Sequence, residues 1–410
     1  MEHPPSPFAP ARFPALPPVR GVRLSSCEAG VRYAGRLDLM LTEFTPGTVV
    51  GGVMTKSVTA GAPVEWNRAA ISNGKARALV VNAGNANVFT GKRGRDAVEK
   101  TAHTVAEALS CDKNDVFVCS TGTIGEYLQE GRITDRIEGL TSKLSGSAWE
   151  EAAKAIMTTD TYPKGAVRTA EIDGITVTLV GIAKGSGMIA PDMATMLAYV
   201  MTDAVLSAEV TQSLIASGAD KSFNAITVDG DTSTSDTLLM FATGKAGHSR
   251  ANSIGEERIE GFRRALDGLL IDLAHQVVKD GEGAQKFIEI QVLGAESDDA
   301  ARCIGLSVGN SPLVKTAIAG EDANWGRIVM AVGKAGEKAD RDKLAIAIGG
   351  TQITENGEPI PGYDEGPVTA HMRGRDITMT VDVGIGTGQA TIWTCDLTHG
   401  YIDINADYRT

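Results

Sequence analysis

A threonine that follows a glycine-rich turn is the clearest candidate for chemistry in this sequence. Residues 184–197 read KGSGMIAPDMATML, so Thr195 opens an apolar run just after the turn. One interpretation is an ordinary turn followed by a strand that begins with a β-branched residue, and local pattern alone favours it. The other is that the bond between Ala194 and Thr195 is cut. A threonine hydroxyl is a weak nucleophile, and the free α-amine of a new N-terminus could act as its base.

Other positions carry groups that such a nucleophile would need. Thr121 and Gly122 follow a buried strand, where a backbone N–H can point at developing negative charge, although a common β-turn has the same pattern. Lys184 stands in an apolar, glycine-rich setting and could lower the pKa of a nearby amine or bind a carboxylate. Glu282 lies between two glycines, where backbone approaches a ligand closely and a carboxylate suits a cationic amine. For Lys184 and Glu282 the alternative is a solvated surface side chain.

Patterns for metal and nucleotide binding do not emerge from the sequence. The six histidines are dispersed, without HExxH or paired spacing. The loop that begins at Asp229 has no glutamate at the twelfth position of a calcium loop. Gly185 and Gly187 lack the third glycine of a dinucleotide fingerprint and the Gly-Lys-Ser/Thr of a phosphate loop. We therefore expect neither a histidine-ligated metal nor a bound nucleotide.

Length and composition predict a soluble α/β protein of two or three lobes. The chain has 410 residues, of which 42% are hydrophobic and 22% charged, and it contains 47 glycines. The formal net charge of −12 argues against nucleic acid or an anionic membrane as partner, because both reward a basic surface. No run reaches the length of a membrane span, and residues 1–20 lack the apolar core of a signal peptide. Five scattered cysteines predict reduced thiols, and we expect a cytoplasmic enzyme.

Strands that end in polar, glycine-containing loops recur along the chain. Hydrophobic periodicity predicts helices over residues 96–109, 149–157, 207–218 and 257–279. It predicts strands over residues 38–41, 78–81, 116–118, 196–201 and 237–242, a strand pair over 174–182, and a strand-like tail from Ile377. The longest helix stops at a glycine-containing turn that holds Glu282.

Taken together, these segments resemble the ornithine acetyltransferase family, the arginine-biosynthesis proteins that move an acetyl group between N-acetylornithine and glutamate. The similarity covers nearly the whole chain and keeps the order of its motifs. The matching segments are residues 80–87 (VVNAGNAN), 120–122 (STG), 157–161 (MTTDT), 184–197, 229–234 (DGDTST), 310–317 (NSPLVKTA), 320–327 (GEDANWGR) and 404–410 (INADYRT).

The resemblance implies self-cleavage before Thr195. An α chain of residues 1–194 and a β chain of residues 195–410, with a C-terminal lobe of about 300–410, would stay in one folded unit and pair as an (αβ)₂ dimer. The implied fold is an α/β one with sheets sandwiched by helices, similar to that of aminopeptidases. By motif match, Thr121 and Gly122 form the oxyanion hole, and the substrate pocket is lined by Thr158, Lys184, Thr195, Glu282, Asn405 and Thr410.

The implied reaction is a two-step acetyl transfer. The Thr195 hydroxyl takes the acetyl group from N2-acetylornithine, ornithine leaves, and the amine of glutamate accepts the acetyl group from the acyl-threonine. Ping-pong kinetics follow, and no metal or organic cofactor is needed. The sequence leaves open whether acetyl-CoA also serves as a donor.

Some positions depart from the family pattern. Asp192 stands where asparagine is usual, Ala83 where serine is usual, and Tyr127 where proline is common. Asp192 matters most, because a carboxylate three residues before the cleavage point could slow processing. Two other functions stay open: a hydrolase with the same N-terminal threonine that passes the acyl group to water, and an uncut protein that binds a metabolite without catalysis.

Overall fold

The computed structural model of the protein describes residues 4–190 and 196–407. It is an α/β fold, as the sequence predicts. The strands are Val22–Cys27 (β1), Leu39–Phe44 (β2), Val49–Met54 (β3), Ala78–Asn85 (β4), Val116–Thr123 (β5), Lys164–Ile172 (β6), Ile175–Lys184 (β7), Leu197–Thr202 (β8), Thr237–Ala242 (β9), Phe287–Ala295 (β10), Ala345–Ile348 (β11), Thr351–Glu355 (β12), Glu358–Pro359 (β13), Asp376–Asp382 (β14) and Gly388–Cys395 (β15).

Helices cover the faces of the sheets and connect their strands. They are Ala62–Ala70 (α1), Gly91–Leu109 (α2), Gly131–Thr134 (α3), Ile137–Thr141 (α4), Trp149–Ala155 (α5), Ala208–Asp220 (α6), Glu260–Lys279 (α7), Asp298–Gly309 (α8), Pro312–Ala319 (α9), Trp325–Gly333 (α10), Glu365–Met372 (α11) and His399–Asp407 (α12). None of the helices in the described part of the chain is long and apolar enough to cross a membrane.

Three sheets organise the described residues. The first has the strand order β1-β2-β4-β5, the second β3-β9-β8-β7-β6, and the third β13-β12-β11-β14-β10-β15. The first two sheets pack face to face, with Phe241 of the second between Phe44 and Phe117 of the first, at ring-centroid distances of 4.2 and 5.9 Å. On the outer faces, α1 and α2 cover the first sheet, and α6 and α7 cover the second. The prediction of sheets sandwiched by helices is confirmed.

The central strands of the second sheet show why their sequences are apolar without interruption. In β8, Leu197, Tyr199 and Met201 face the first sheet, while Ala198 and Val200 face the helices on the other side. A strand that is buried on both faces has no polar side to display, so its sequence does not alternate. The short hydrophobic run after Thr195 is therefore a core strand.

Two sequence predictions differ from the structure near the site. The strand pair placed at residues 174–182 is a longer hairpin, in which β6 begins at Lys164 and β7 ends at Lys184. The strand-like tail is strand only as far as Cys395 and ends in helix α12. Helix α12 brings Asn405 back towards Glu282, a tertiary contact with no local sequence signal.

Helix α6 lies against β3 at a glycine. A Cβ atom on Gly51 would stand 2.6 Å from the backbone nitrogen of Gln212, and the Gln212 side chain exchanges hydrogen bonds of 2.9 and 3.0 Å with the backbone of Gly52. Helix and strand therefore touch backbone to backbone, which fixes the outer layer of the second sheet.

We expect Gly51→Ala to lower the free energy of unfolding by about 1 to 3 kcal/mol, because the added methyl group overpacks this contact. Chemical denaturation measures the change. The matched control is Gly139→Ala in helix α4, where an added Cβ meets nothing within 4 Å, and this variant should be unchanged or up to about 1 kcal/mol more stable. Equal stabilities of the two variants would contradict the close packing of α6 on β3.

Candidate active site

A cavity of about 230 Å³ lies where strand ends of the first and second sheets meet the turn after α7. Its volume is below the roughly 300–1,000 Å³ of sites for drug-sized ligands, and it suits a small metabolite. The residues predicted for the site that line it are Thr121, Gly122, Thr158, Lys184, Glu282 and Asn405.

Thr121 and Gly122 end β5, next to the end of the parallel strand β4. Gly122 pairs with Gly84 and has φ +130°, and a Cβ atom there would lie 2.3 Å from the carbonyl carbon of Gly84. Only glycine fits this backbone, because other residues rarely adopt that φ and would collide with β4. The β-turn alternative is therefore wrong: these residues form the closely packed end of a parallel strand pair, exposed to the cavity.

Lys184 ends β7 and is 3% exposed. Its ammonium donates a 3.2 Å hydrogen bond to the hydroxyl of Thr121, so it is not a solvated surface lysine. Burial holds the pKa of this ammonium below its ordinary value. The carboxylates of Asp160, Asp236 and Glu282 act in the opposite direction.

Glu282 follows α7 and is 7% exposed. Its backbone N–H donates to the carbonyl of Ser186 at 3.1 Å, and Oε2 accepts a 2.7 Å hydrogen bond from Asn405. A Cβ atom on Gly187 would lie 2.4 Å from the Glu282 carboxyl group. The glycine turn after Lys184 therefore allows this carboxylate to reach the cavity.

The pKa of Glu282 is raised, mainly because burial disfavours its charged form. Hydrogen bonds from Asn405 and Thr159 and the charge of Lys184 lower it only in part. A cationic group that entered the cavity would restore the stability of the ionised carboxylate. The solvent-facing alternative for Glu282 is wrong.

Thr158 and Thr159 both line the cavity, whereas Thr161 turns away from it. The backbone N–H of Thr158 donates to Asp160 Oδ2 at 3.0 Å, and the backbone N–H of Thr161 donates to Asp280 Oδ2 at 2.9 Å. The motif match at Thr158 thus falls on a cavity residue, with Thr159 as a neighbour that the sequence did not assign.

Thr195, Ala194, Asp192 and Thr410 lie outside the described residues, so their predicted roles stay predictions. The nearest described residue after Thr195 is Met196, whose backbone N–H donates a 2.9 Å hydrogen bond to Asp236 Oδ1. The next residue, Leu197, pairs with Lys184 across β8 and β7. At Met196 and Leu197 the described chain therefore begins again beside the buried lysine of the cavity.

Several charged residues near the cavity were missed by sequence reasoning. Asp160, Lys164, Asp280 and Asp236 are buried, and Asp229 accepts hydrogen bonds of 2.6 and 2.9 Å from the backbone of residues 188 and 189. The i, i+4 spacing of Asp160 and Lys164 could have indicated a pair. Asp280 and Asp236 carry no such signal, because their partners are distant in sequence.

The arrangement has the parts of a site for acyl transfer to and from an amine. The strand end at Gly122 and the Lys184 ammonium can stabilise an oxyanion, and the buried Glu282 carboxylate can hold a cationic amine. In the described ranges, 4–190 and 196–407, no group of three or more His, Cys, Asp or Glu side chains could hold a metal ion.

Comparison with known proteins gives the family. Residues 23–410 match the model of the ArgJ family. The arginine biosynthesis bifunctional protein ArgJ of Gluconobacter oxydans is 57% identical over 398 residues, covering 97% of this chain and 94% of the relative. The protein of the same name from Agrobacterium fabrum is 54% identical over 408 residues, covering 99% of each. A crystal structure of the Bacillus halodurans ArgJ protein is 39% identical with a TM-score of 0.49, covering 51% of this chain and 98% of that chain.

The chain therefore belongs to the ArgJ family, and the resemblance stated from its motifs is confirmed.

We expect Glu282→Gln to change how stability depends on pH. The raised pKa means that the folded protein keeps a proton that the unfolded chain releases. Stability from Glu282 is therefore present below its unfolded pKa, about 4.3, and is lost as the pH rises through the folded pKa. The variant, which cannot ionise there, should gain stability relative to the wild type between pH 4 and pH 8.

Urea denaturation across this pH range measures the difference. The control is Glu65→Gln, which removes an exposed carboxylate from α1. A stability difference between Glu282→Gln and the wild type that does not change with pH would contradict the raised pKa of Glu282.

Proposed function

We propose that this protein transfers the acetyl group of N2-acetylornithine to glutamate through an acyl intermediate on Thr195. Acetyl transfer in arginine biosynthesis is the activity of the family to which the chain belongs. The observation that carries the proposal is the convergence of Gly122, Lys184 and Glu282 on one small cavity, beside the strand that Thr195 precedes.

In the proposed reaction the Ala194–Thr195 bond is first hydrolysed by water, which leaves a carboxylate on Ala194 and frees the α-amine of Thr195. This amine takes the hydroxyl proton while the oxygen attacks the acetyl carbonyl. The negative charge that develops on the carbonyl oxygen lies at Thr121 and Gly122, and the Lys184 ammonium stabilises it. The tetrahedral intermediate collapses, the proton passes to the leaving amine, and ornithine departs. The amine of glutamate then attacks the acyl-threonine by the same steps.

Glu282 has a binding role in this proposal. Its buried carboxylate would pair with the cationic side chain of ornithine, and Asn405 holds it in place. Thr158 and Thr410 complete the pocket in the proposal. The chemistry consists of proton transfers and acyl substitution, so we propose that it needs no cofactor. We also propose a cytoplasmic location and assembly of the cleaved units as (αβ)₂.

The Thr195→Ala variant should remain a single uncut chain without transferase activity, because it lacks the hydroxyl needed for cleavage and for acyl transfer. Denaturing mass spectrometry should show two fragments for the wild type, divided between Ala194 and Thr195. Thr195→Ser keeps a hydroxyl and should still be cut. Two fragments in Thr195→Ala would contradict the proposal.

The reaction products separate transfer from hydrolysis. Incubation of the wild type with N2-acetylornithine and glutamate should yield acetylglutamate and ornithine, whereas a hydrolase would release acetate. Replacing N2-acetylornithine by acetyl-CoA in the same assay decides whether the protein accepts a thioester donor.

A further inference from the structure

The carboxylate of Asp160 connects two segments that line the cavity, the loop at Thr158 and the end of β7. Its Oδ2 atom accepts a 3.0 Å hydrogen bond from the backbone N–H of Thr158. Its Oδ1 atom accepts a 2.6 Å hydrogen bond from the backbone N–H of Gly185, the residue after Lys184. The side chain of Asp160 is fully buried. One carboxylate therefore sets the spacing between the loop that presents Thr158 and the strand end that presents Lys184.

A buried ion bridge extends this connection to the turn after α7, which holds Glu282. The ammonium of Lys164 lies 2.6 Å from Asp160 Oδ1 and 2.6 Å from Asp280 Oδ2, and all three side chains have no exposed surface. Asp280 stands two residues before Glu282. The bridge therefore ties the walls that hold Thr158, Lys184 and Glu282 to one another.

We propose that Asp160 is a positioning residue for acetyl transfer, which places Thr158 and Lys184 around the acyl group and sets a negative charge beside the Lys184 side chain. This inference rests on the proposed function. Asp160 itself does not line the cavity, so it acts through the groups that it holds.

The electrostatics of the cavity support this role. Lys184 is buried, and its charge is opposed by the nearby ammonium of Lys164. The carboxyl groups of Asp160, Asp236 and Glu282 favour the charge, and Asp160 has the largest effect of the three. Burial raises the pKa of both Asp236 and Glu282. Asp160 is different, because Lys164 and Lys184 outweigh its burial and hold its pKa below the usual range. Asp160 is therefore the carboxyl group of the three whose charged form its surroundings favour.

The test replaces Asp160 by asparagine, which keeps the volume and removes the charge. Asparagine cannot accept hydrogen bonds on both sides, so Thr158 or Gly185 loses its partner. Because a misplacement of about 1 Å can cost 100-fold in rate, we expect kcat and kcat/KM to fall together by about 10- to 100-fold. Loss of the negative charge lowers the pKa of Lys184, so the alkaline limb of the pH–rate profile should move to lower pH.

The matched control is Asp203→Asn. Asp203 is also buried and accepts a 2.9 Å hydrogen bond from a backbone N–H, that of Thr178, as well as one from Arg20. It directly follows Thr202, the last residue of β8, which lies roughly 17 Å along the strand from Leu197, the first. Asp203→Asn should lose stability but keep the kcat and the pH profile of the wild type.

Asp160→Glu separates charge from geometry. It keeps the carboxylate but lengthens its reach, so kcat should fall while the alkaline limb stays in place, and it carries the test if Asp160→Asn does not fold. A folded Asp160 variant with the kcat and pH profile of the wild type would overturn the inference, as would an equal shift of the alkaline limb in Asp203→Asn. A wild type that transfers no acetyl group would overturn the proposed function and this inference with it.

Discussion

The site depends on the buried ammonium of Lys164, which lies between the carboxylates of Asp160 and Asp280. An isolated buried charge is costly, and a buried pair is stable only when its remaining hydrogen-bonding positions are also filled. Lys164 meets this condition between Asp160 and Asp280, and both carboxylates also accept backbone N–H groups. Removing one of these three side chains would leave an uncompensated charge in the core. The ion bridge therefore constrains which side chains the neighbouring strands and turns can carry.

Burying these charged side chains lowers the free energy of unfolding, and the surrounding apolar core compensates for this loss. The two face-to-face sheets bury a continuous apolar layer, to which Tyr199 and Phe241 contribute large side chains. Glu282 shows this balance most clearly, because burial disfavours its ionised form, whereas the cationic ligand of the proposed function would require that form. Groups that bind a charged ligand are often poorly compensated on their own, and the packed layer behind them keeps them in place.

Local patterns in the sequence were sufficient for much of this structure. The apolar runs at residues 78–81, 196–201 and 237–242 predict core strands, and the face of Leu266 and Leu273 predicts the long helix α7. The cavity residues Thr121, Lys184 and Glu282 could be named because motifs mark them. The motifs could not give their spatial relation, which depends on parallel pairing of β4 with β5 and on a glycine turn that admits Glu282.

The parts that could not be predicted depend on contacts between distant segments. Asp280 meets Lys164 across 116 residues of sequence, and Asn405 meets Glu282 across 123. No periodicity encodes such distances. The start of β6 at Lys164 is similar, because pairing with β7 overrides the local turn preference of Pro163.

The strand order of the second sheet has a consequence for the proposed cut. Strands β8 and β9 follow Thr195 and pair in parallel, and they are flanked by β7 on one side and β3 on the other, both of which precede it. Two polypeptides made by a cut at Thr195 would be interleaved within one sheet. Neither could leave without breaking a backbone ladder, so the lifetime of their association would be set by the rate of unfolding and not by concentration. Dilution would therefore not separate the two polypeptides. Because both come from one precursor chain, they would fold together and would not first have to meet by diffusion.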